Sequence, residues 1–349
     1  MLKNFRGSII FTLVCLALGA WYAWTSSHTV QAMLSTLWII VVLSVLEVSL
    51  SFDNAVVNAT VLKDMDEVWQ RRFLTWGMAF AVFGMRVAFP LAIVAIAAGI
   101  GPAEAIKLSL SEPREYERIV SSAHVGIAGF GGAFLTLVGS KFFFDSDKDV
   151  HWIRWIEEKL SRFSRIAAVE IALLLLTLFL ISLTLSESDA LTFLVAGLLG
   201  IIVFVAVEGI STLLELREEA ARARGAVISA GFGGFLYLNV LDASFSFDGV
   251  IGAFALSNNM VVIALGLSIG AMFVRSLTIM LVQKGTLAQY RFLEHGAFWA
   301  ILALGTIMLL SARYEISETL TGLIGAVLIG ISLWWSVRHN RPRDEVTPS

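Results

Sequence analysis

Four carboxylates stand in strongly apolar sequence, and their spacing repeats. Glu47 and Asp53 lie six residues apart in VLEVSLSFDNAVVNA, Val45 to Ala59. Asp242 and Asp248 have the same spacing in VLDASFSFDGVIGAF, Val240 to Phe254, 195 residues later. Six of the fifteen positions are identical, and Glu47 is answered by Asp242. A charge at the centre of a membrane helix costs about 2.5–3.5 kcal/mol on insertion scales. Accepting that cost in two matched copies points to a cation site shared by two related halves. The plainer reading makes the acids structural partners of Arg86 and Arg275, two arginines that also lie within apolar runs; the duplicated spacing weighs against it.

The ligands on offer are all oxygens. Carboxylates come from Glu47, Asp53, Asp242 and Asp248, amides from Asn54, Asn58 and Asn239, and hydroxyls from Ser51 and Ser246. Such a set suits Mg²⁺, Ca²⁺ or Mn²⁺ better than zinc or copper, which recruit imidazole and sulfur. On an unbroken helix Glu47, Ser51, Asn54 and Asn58 share one stripe, as Asn239, Asp242 and Ser246 do. Asp53 falls about 120° round from Glu47 at 3.6 residues per turn, and Asp248 is displaced likewise from Asp242. Asp-Asn and Asp-Gly pairs favour turns, so an interruption is predicted near Ser-Phe-Asp in both copies. Freed carbonyls would then join the ligands.

Helices must position these groups. The 349 residues are 57% hydrophobic and 15% charged, with mean hydropathy +0.81, which defines a polytopic membrane protein. Apolar runs near 8–24, 36–62, 73–99, 123–144, 166–186, 190–214, 226–256, 260–283, 296–312 and 316–337 predict about ten transmembrane helices. The fold class is therefore an all-α transmembrane bundle. The 2–4 and 7–9 helices match in order, with Arg86 and Arg275 in the third and eighth and His124 and His295 opening the fourth and ninth. A period of five helices is odd, so the second copy is inverted, a common transporter plan. Residues 1–189 form the first repeat and 190–349 the second, with a short tail. Small residues in the fourth and seventh helices allow close packing.

Most of the 25 lysines and arginines fall on one side if the N-terminus is inside, including Lys63, Arg71, Arg72, the stretch Lys141 to Arg165, Arg338, Arg341 and Arg343. Both termini are then expected to be cytoplasmic. Lys3 and Arg6 before an apolar run, with Val30-Gln31-Ala32 after it, fit a cleaved signal peptide as well as a retained first helix; the helix in the matching place of the second half favours retention. In 149–163, Trp152, Trp155, Ile156, Leu160 and Phe163 form one face and Arg154, Glu157, Glu158 and Lys159 the other, which reads as a helix lying at the inner membrane surface. Glu170 and Glu208 stand alone in their helices.

Cys15 is the only cysteine, so neither an intrachain disulfide nor a thiolate cluster can form. No basic run suggests nucleic acid. No intramembrane-protease, serine-nucleophile or His-Glu-x-x-His motif is present, so no enzymatic activity is expected. The partners expected are the lipid bilayer and a divalent cation, with no resident cofactor; the sequence leaves the oligomeric state open. A membrane scaffold or assembly factor is the rival reading.

SFDNA in the second helix, SFDG in the seventh and the duplicated layout resemble the TerC-like membrane proteins of the LysE transporter superfamily. The resemblance spans most of the chain, which has more helices than the shorter LysE plan. It implies a bacterial cell membrane and export of a metal ion, manganese above all, with Asp53 and Asp248 matching the family's intramembrane aspartates. Glu47 and Asp242 fit the same pattern.

Overall fold

The computed structural model describes residues 2–77, 79–144, 150–163, 168–223, 231–254, 256–283, 289–314 and 316–340. Among these the chain is all α, with no β-strand. Eight helical stretches are long and apolar enough to cross a membrane: Phe5–Ser27, Val30–Leu50, Glu67–Ile96, His124–Phe144, Glu187–Leu214, Met260–Gln283, Leu293–Ser311 and Leu320–Asn340. Two other expected spans also fall on helices, the 14-residue Val169–Ser182 and the acid-bearing Phe232–Phe254. The expected helix start at 226–230 and the basic residues Arg341 and Arg343 lie outside the described residues.

Helix α1 (Leu2–Ser27) is docked by Ser8, whose Oγ donates to the Met272 carbonyl at 2.6 Å. Helix α2 (Val30–Leu50) starts where the Thr29 side chain accepts from the Ala32 N–H, a standard N-cap. After Ser51 the chain resumes as α3 (Phe52–Leu62).

The next span changes its winding. It opens as α4 (Glu67–Arg72), widens into π-helical turns over Phe73–Gly77 and Phe80–Ala88, and closes as α5 (Phe89–Ala98). In each wide stretch a phenylalanine ring folds over the glycine four residues on. A Cβ at Gly77 would lie 2.7 Å from the Phe73 ring, and one at Gly84 2.9 Å from the Phe80 ring. In each, an arginine donates to the carbonyl after that phenylalanine: Arg275 Nε to Leu74 O at 2.7 Å, and Arg86 Nη1 to Ala81 O at 2.6 Å. Wide turns shift backbone pairing by one residue, and these guanidinium groups bond to the carbonyls there.

Two short helices, α6 (Pro102–Ser111) and α7 (Pro113–Ser122), each begin with proline, whose missing N–H is no loss in a first turn. Tyr116 on α7 is fully buried and its hydroxyl has no partner. Helix α8 (His124–Phe144) is glycine-rich and packs closely against two others, α11 (Glu187–Ala223) and α14 (Leu293–Ser311). A Cβ at Gly129 would stand 2.7 Å from Phe193 O, at Gly200 2.5 Å from Phe130 O, and at Gly305 2.7 Å from Thr136 N. The small residues expected to bring the fourth helix close to its neighbours do so.

Helix α9 (Arg154–Phe163) precedes α10 (Val169–Ser182). The expected polar face of α9 needs correction at Glu157, which is 1% exposed, while Trp155 on the expected apolar face is 68% exposed. Glu157 accepts from the Trp152 and Ile153 N–H groups at 3.1 and 3.2 Å and from Trp299 Nε1 on α14 at 3.1 Å. His151 and His295 each lie 3.6 Å from its Oε2. An acid near the start of a helix collects its unpaired N–H groups, so this one turns inward. Helices α12 (Phe232–Phe254), α13 (Met260–Gln283) and α15 (Glu318–Asn340) complete the bundle.

Candidate functional site

The first motif breaks where its spacing predicts. Ser51 has φ −103° and ψ 17°, outside helical values, and separates α2 from α3. A helix end leaves carbonyls, and the next helix start leaves N–H groups, without in-helix partners. One is answered locally, since the Asn54 N–H donates to Asp53 Oδ1 at 3.0 Å. The break brings Glu47 and Asp53 to one place despite their offset on a regular helix. Both line a cavity of about 40 Å³, together with Ser51, Asn54, Phe245 and Gly249 of α12, Ala300 and Leu304 of α14, and a glycine-containing stretch of α15. A single water needs about 10–15 Å³, so the space suits a cation with little of its hydration shell. Asn54 is 5% exposed and its Oδ1 has no partner.

Glu47 is held on every side. Ser51 Oγ donates to its Oε1 at 3.1 Å, and Arg86 forms an ion pair with the same oxygen. Helix α13 presses on its stem at Gly270, where a Cβ would stand 2.4 Å from Glu47 Cβ and Cγ. Helix α12 passes at Gly249, where a Cβ would stand 2.9 Å from Oε2. Ser44, one turn earlier, donates to the Gly266 carbonyl at 3.0 Å.

The second motif behaves differently. Helix α12 runs unbroken from Phe232 to Phe254, so the interruption predicted there does not occur. Its Asp-Gly pair serves packing instead, because the missing Cβ of Gly249 lets the helix pass the Glu47 carboxylate. Asp242 is buried, is hydrogen-bonded by Asn58, and lies within electrostatic reach of Arg86 and Glu47. It does not line the cavity. Asn58 is 1% exposed and its Oδ1 has no partner. Ser246 Oγ donates to Asp242 O at 2.7 Å, and Asn239 Nδ2 to Phe235 O at 2.6 Å, so each of these bonds stays within its own helix. The Asp248 side chain lies outside what is described.

The two arginines part company. Arg86 joins the acids, but Arg275 spends its Nε–H on Leu74 O, so among the bonds seen the plainer reading of acid–arginine partners holds for Arg86 alone. His124 Nε2 sits 3.2 Å from Ser311 O and His295 Nε2 2.8 Å from Val150 O, packing roles at helix ends. Glu208 pairs with Lys141. Among the described residues no three His, Cys, Asp or Glu side chains gather as a metal cage. The oxygens on the cavity's lining residues are two carboxylates, one amide, the hydroxyls of Ser49, Ser51 and Thr321, and the backbone at the break.

Beside the cavity, a groove of about 490 Å³ opens between α2 and α15, lined by Trp38, Val41, Val45, Leu46 and Leu323 among others. Ser49, Leu50, Gly322 and Ala326 line both spaces.

Fold and site together define a polytopic all-α membrane protein with carboxylates buried among its helices. The family described as a protein of unknown function (DUF475) matches residues 52–343, and the chain belongs to it. No curated protein and no solved structure matches the chain. None of these matches ties the chain to the TerC or LysE proteins.

Proposed function

We propose that the chain is a secondary transporter of a divalent cation, Mn²⁺ before Ca²⁺ or Mg²⁺, moving it outward through the carboxylate cavity. The observation that carries this reading is the Asn54 amide oxygen, buried and unpartnered, on a small cavity that Glu47 and Asp53 also line. A buried polar atom without a partner carries a desolvation penalty of about 1–3 kcal/mol, which an entering cation relieves. Oxygen ligands favour hard cations. Asp242, hydrogen-bonded by Asn58, supplies negative charge beyond Arg86, and Asp248 completes the second copy of the motif. Two inverted repeats rocking about this point would give alternating access, with both termini in the cytoplasm of a bacterial cell. On this reading the protein is no enzyme and needs no resident cofactor.

The test is Mn²⁺ flux into vesicles carrying the purified protein, with Asp53→Asn and Asp242→Asn as variants. Flux falling at least about tenfold, the loss of roughly 1.4 kcal/mol of binding, with unchanged abundance supports transport. Unchanged flux in both removes these acids from the mechanism. The Arg86–Glu47 ion pair favours a second reading, a membrane scaffold with the acids as internal braces. That reading expects the same variants to lower abundance or partner recovery while metal handling stays normal.

A further inference from the structure

Glu47 is fixed and its counter-ion is not. Ser51 holds one carboxylate oxygen of Glu47, while Gly249 and Gly270 lie close against its other oxygen and its stem. Arg86 rides on the second wide turn, Phe80–Ala88, and bonds the Ala81 carbonyl of that same turn. Its Nε is buried without a partner. The first wide turn is bonded from outside by Arg275 of α13. The second carries its own arginine, so that arginine can move with it.

Pro90 does not decide the winding there. Pro90 has no N–H to give. In α-helical winding the Arg86 carbonyl lacks its donor, and in π-helical winding the Met85 carbonyl does. Each winding leaves one carbonyl bare. Taking one residue out of the wide turn rotates the helix on its N-terminal side against the helix on its C-terminal side by about 100°, one residue of an α-helix.

We propose that Arg86 is a tethered stand-in for the transported cation, holding Glu47 while the cavity is empty, and that tightening of Phe80–Ala88 from π to α winding withdraws it when metal enters. This rests on the cation-transport reading above. With Arg86 in place the Glu47 charge is balanced while the cavity holds no metal. Metal and Arg86 compete for the same Glu47 oxygen, so an entering metal displaces the guanidinium. π-helical winding is frequent at functional sites, and here the nine-residue stretch has a task.

Mn²⁺ binding to the full-length chain in nanodiscs, followed by electron paramagnetic resonance, tests the idea. Arg86→Gln removes the competitor, and the expected result is a Kd lower by about tenfold, within the usual range of coupling between sites. Arg86→Lys keeps a charge near Glu47 but cannot fork to Ala81 O, and serves if the glutamine variant does not fold; a smaller tightening, about threefold on the same scale, is expected. In the wild type, Mn²⁺ should change amide exchange over 80–88, which a purely structural arginine would not show. Wild-type binding with unchanged or weaker affinity in both variants overturns the stand-in. Absence of Mn²⁺ binding and flux in every form overturns the transport reading itself.

Discussion

Replacing Gly270 with alanine tests the α2–α13 seam at its narrowest point. The new Cβ would stand 2.4 Å from both Cβ and Cγ of Glu47 and 3.0 Å from Ser44 O. Carbon atoms settle about 3.5–4.0 Å apart, so something must retreat by at least about 1 Å. Glu47 cannot turn aside, because Ser51 and Arg86 hold its carboxylate and Gly249 faces Oε2. The helices must therefore separate, and overpacking of this kind costs about 1–3 kcal/mol. Gly209→Ala on α11 is the matched control. Nothing lies within 4 Å of its Cβ position, so the usual gain of about 0.5–1 kcal/mol for alanine over glycine within a helix is expected. Equilibrium unfolding in mixed micelles reads both. Opposite signs are expected; a Gly270→Ala protein as stable as the wild type would refute the tight seam and the fixed Glu47 built upon it.

The same geometry sets other outcomes. Arg86→Met leaves Glu47 buried and unpaired and should cost about 3–5 kcal/mol, while adding Glu47→Gln should restore most of it; additive losses in unfolding measurements would mean the pair is uncoupled. Glu157→Gln should loosen α9 by about 1–3 kcal/mol, seen as faster amide exchange over 152–160. Burial pushes the Tyr116 phenol above its ordinary value near 10. Its contribution to stability is then complete below that pH and lost as pH rises past it. Tyr116→Phe should flatten that alkaline loss and cost little at neutral pH, since the hydroxyl has no partner.

Much of the site could be read from the sequence, and the remainder has physical reasons. Hydropathy located the spans because lipid-facing helices must be apolar along their length. The break at Ser51 was legible because Asp-Asn disfavours continued winding and Asp53 caps the Asn54 N–H. The same cue failed at Asp248-Gly249, where a neighbouring carboxylate on α2 needs the space. Local turn chemistry cannot reveal that Glu47, distant in the chain, lies against Gly249. The role of Arg275 was hidden for the same reason, since its acceptor exists only because the α4–α5 span winds wide. A faint signal was present: Phe73 to Gly77 and Phe80 to Gly84 repeat a phenylalanine four residues before a glycine, seven residues apart. On α9, helical periodicity placed Glu157 with the charged residues, yet its bonds to backbone N–H groups and Trp299 outweigh solvation.

The groove between α2 and α15 gives the cavity an unusual boundary. Ser49, Leu50, Gly322 and Ala326 face both spaces, so an acyl chain lying in the groove would stand one residue from the carboxylate cavity. Hydrocarbon screens charge poorly, and any imbalance inside is felt at nearly full strength through so thin a partition. The bilayer thus acts as part of the site's insulation, and changing the lipid in a reconstitution changes the field in which the carboxylates work.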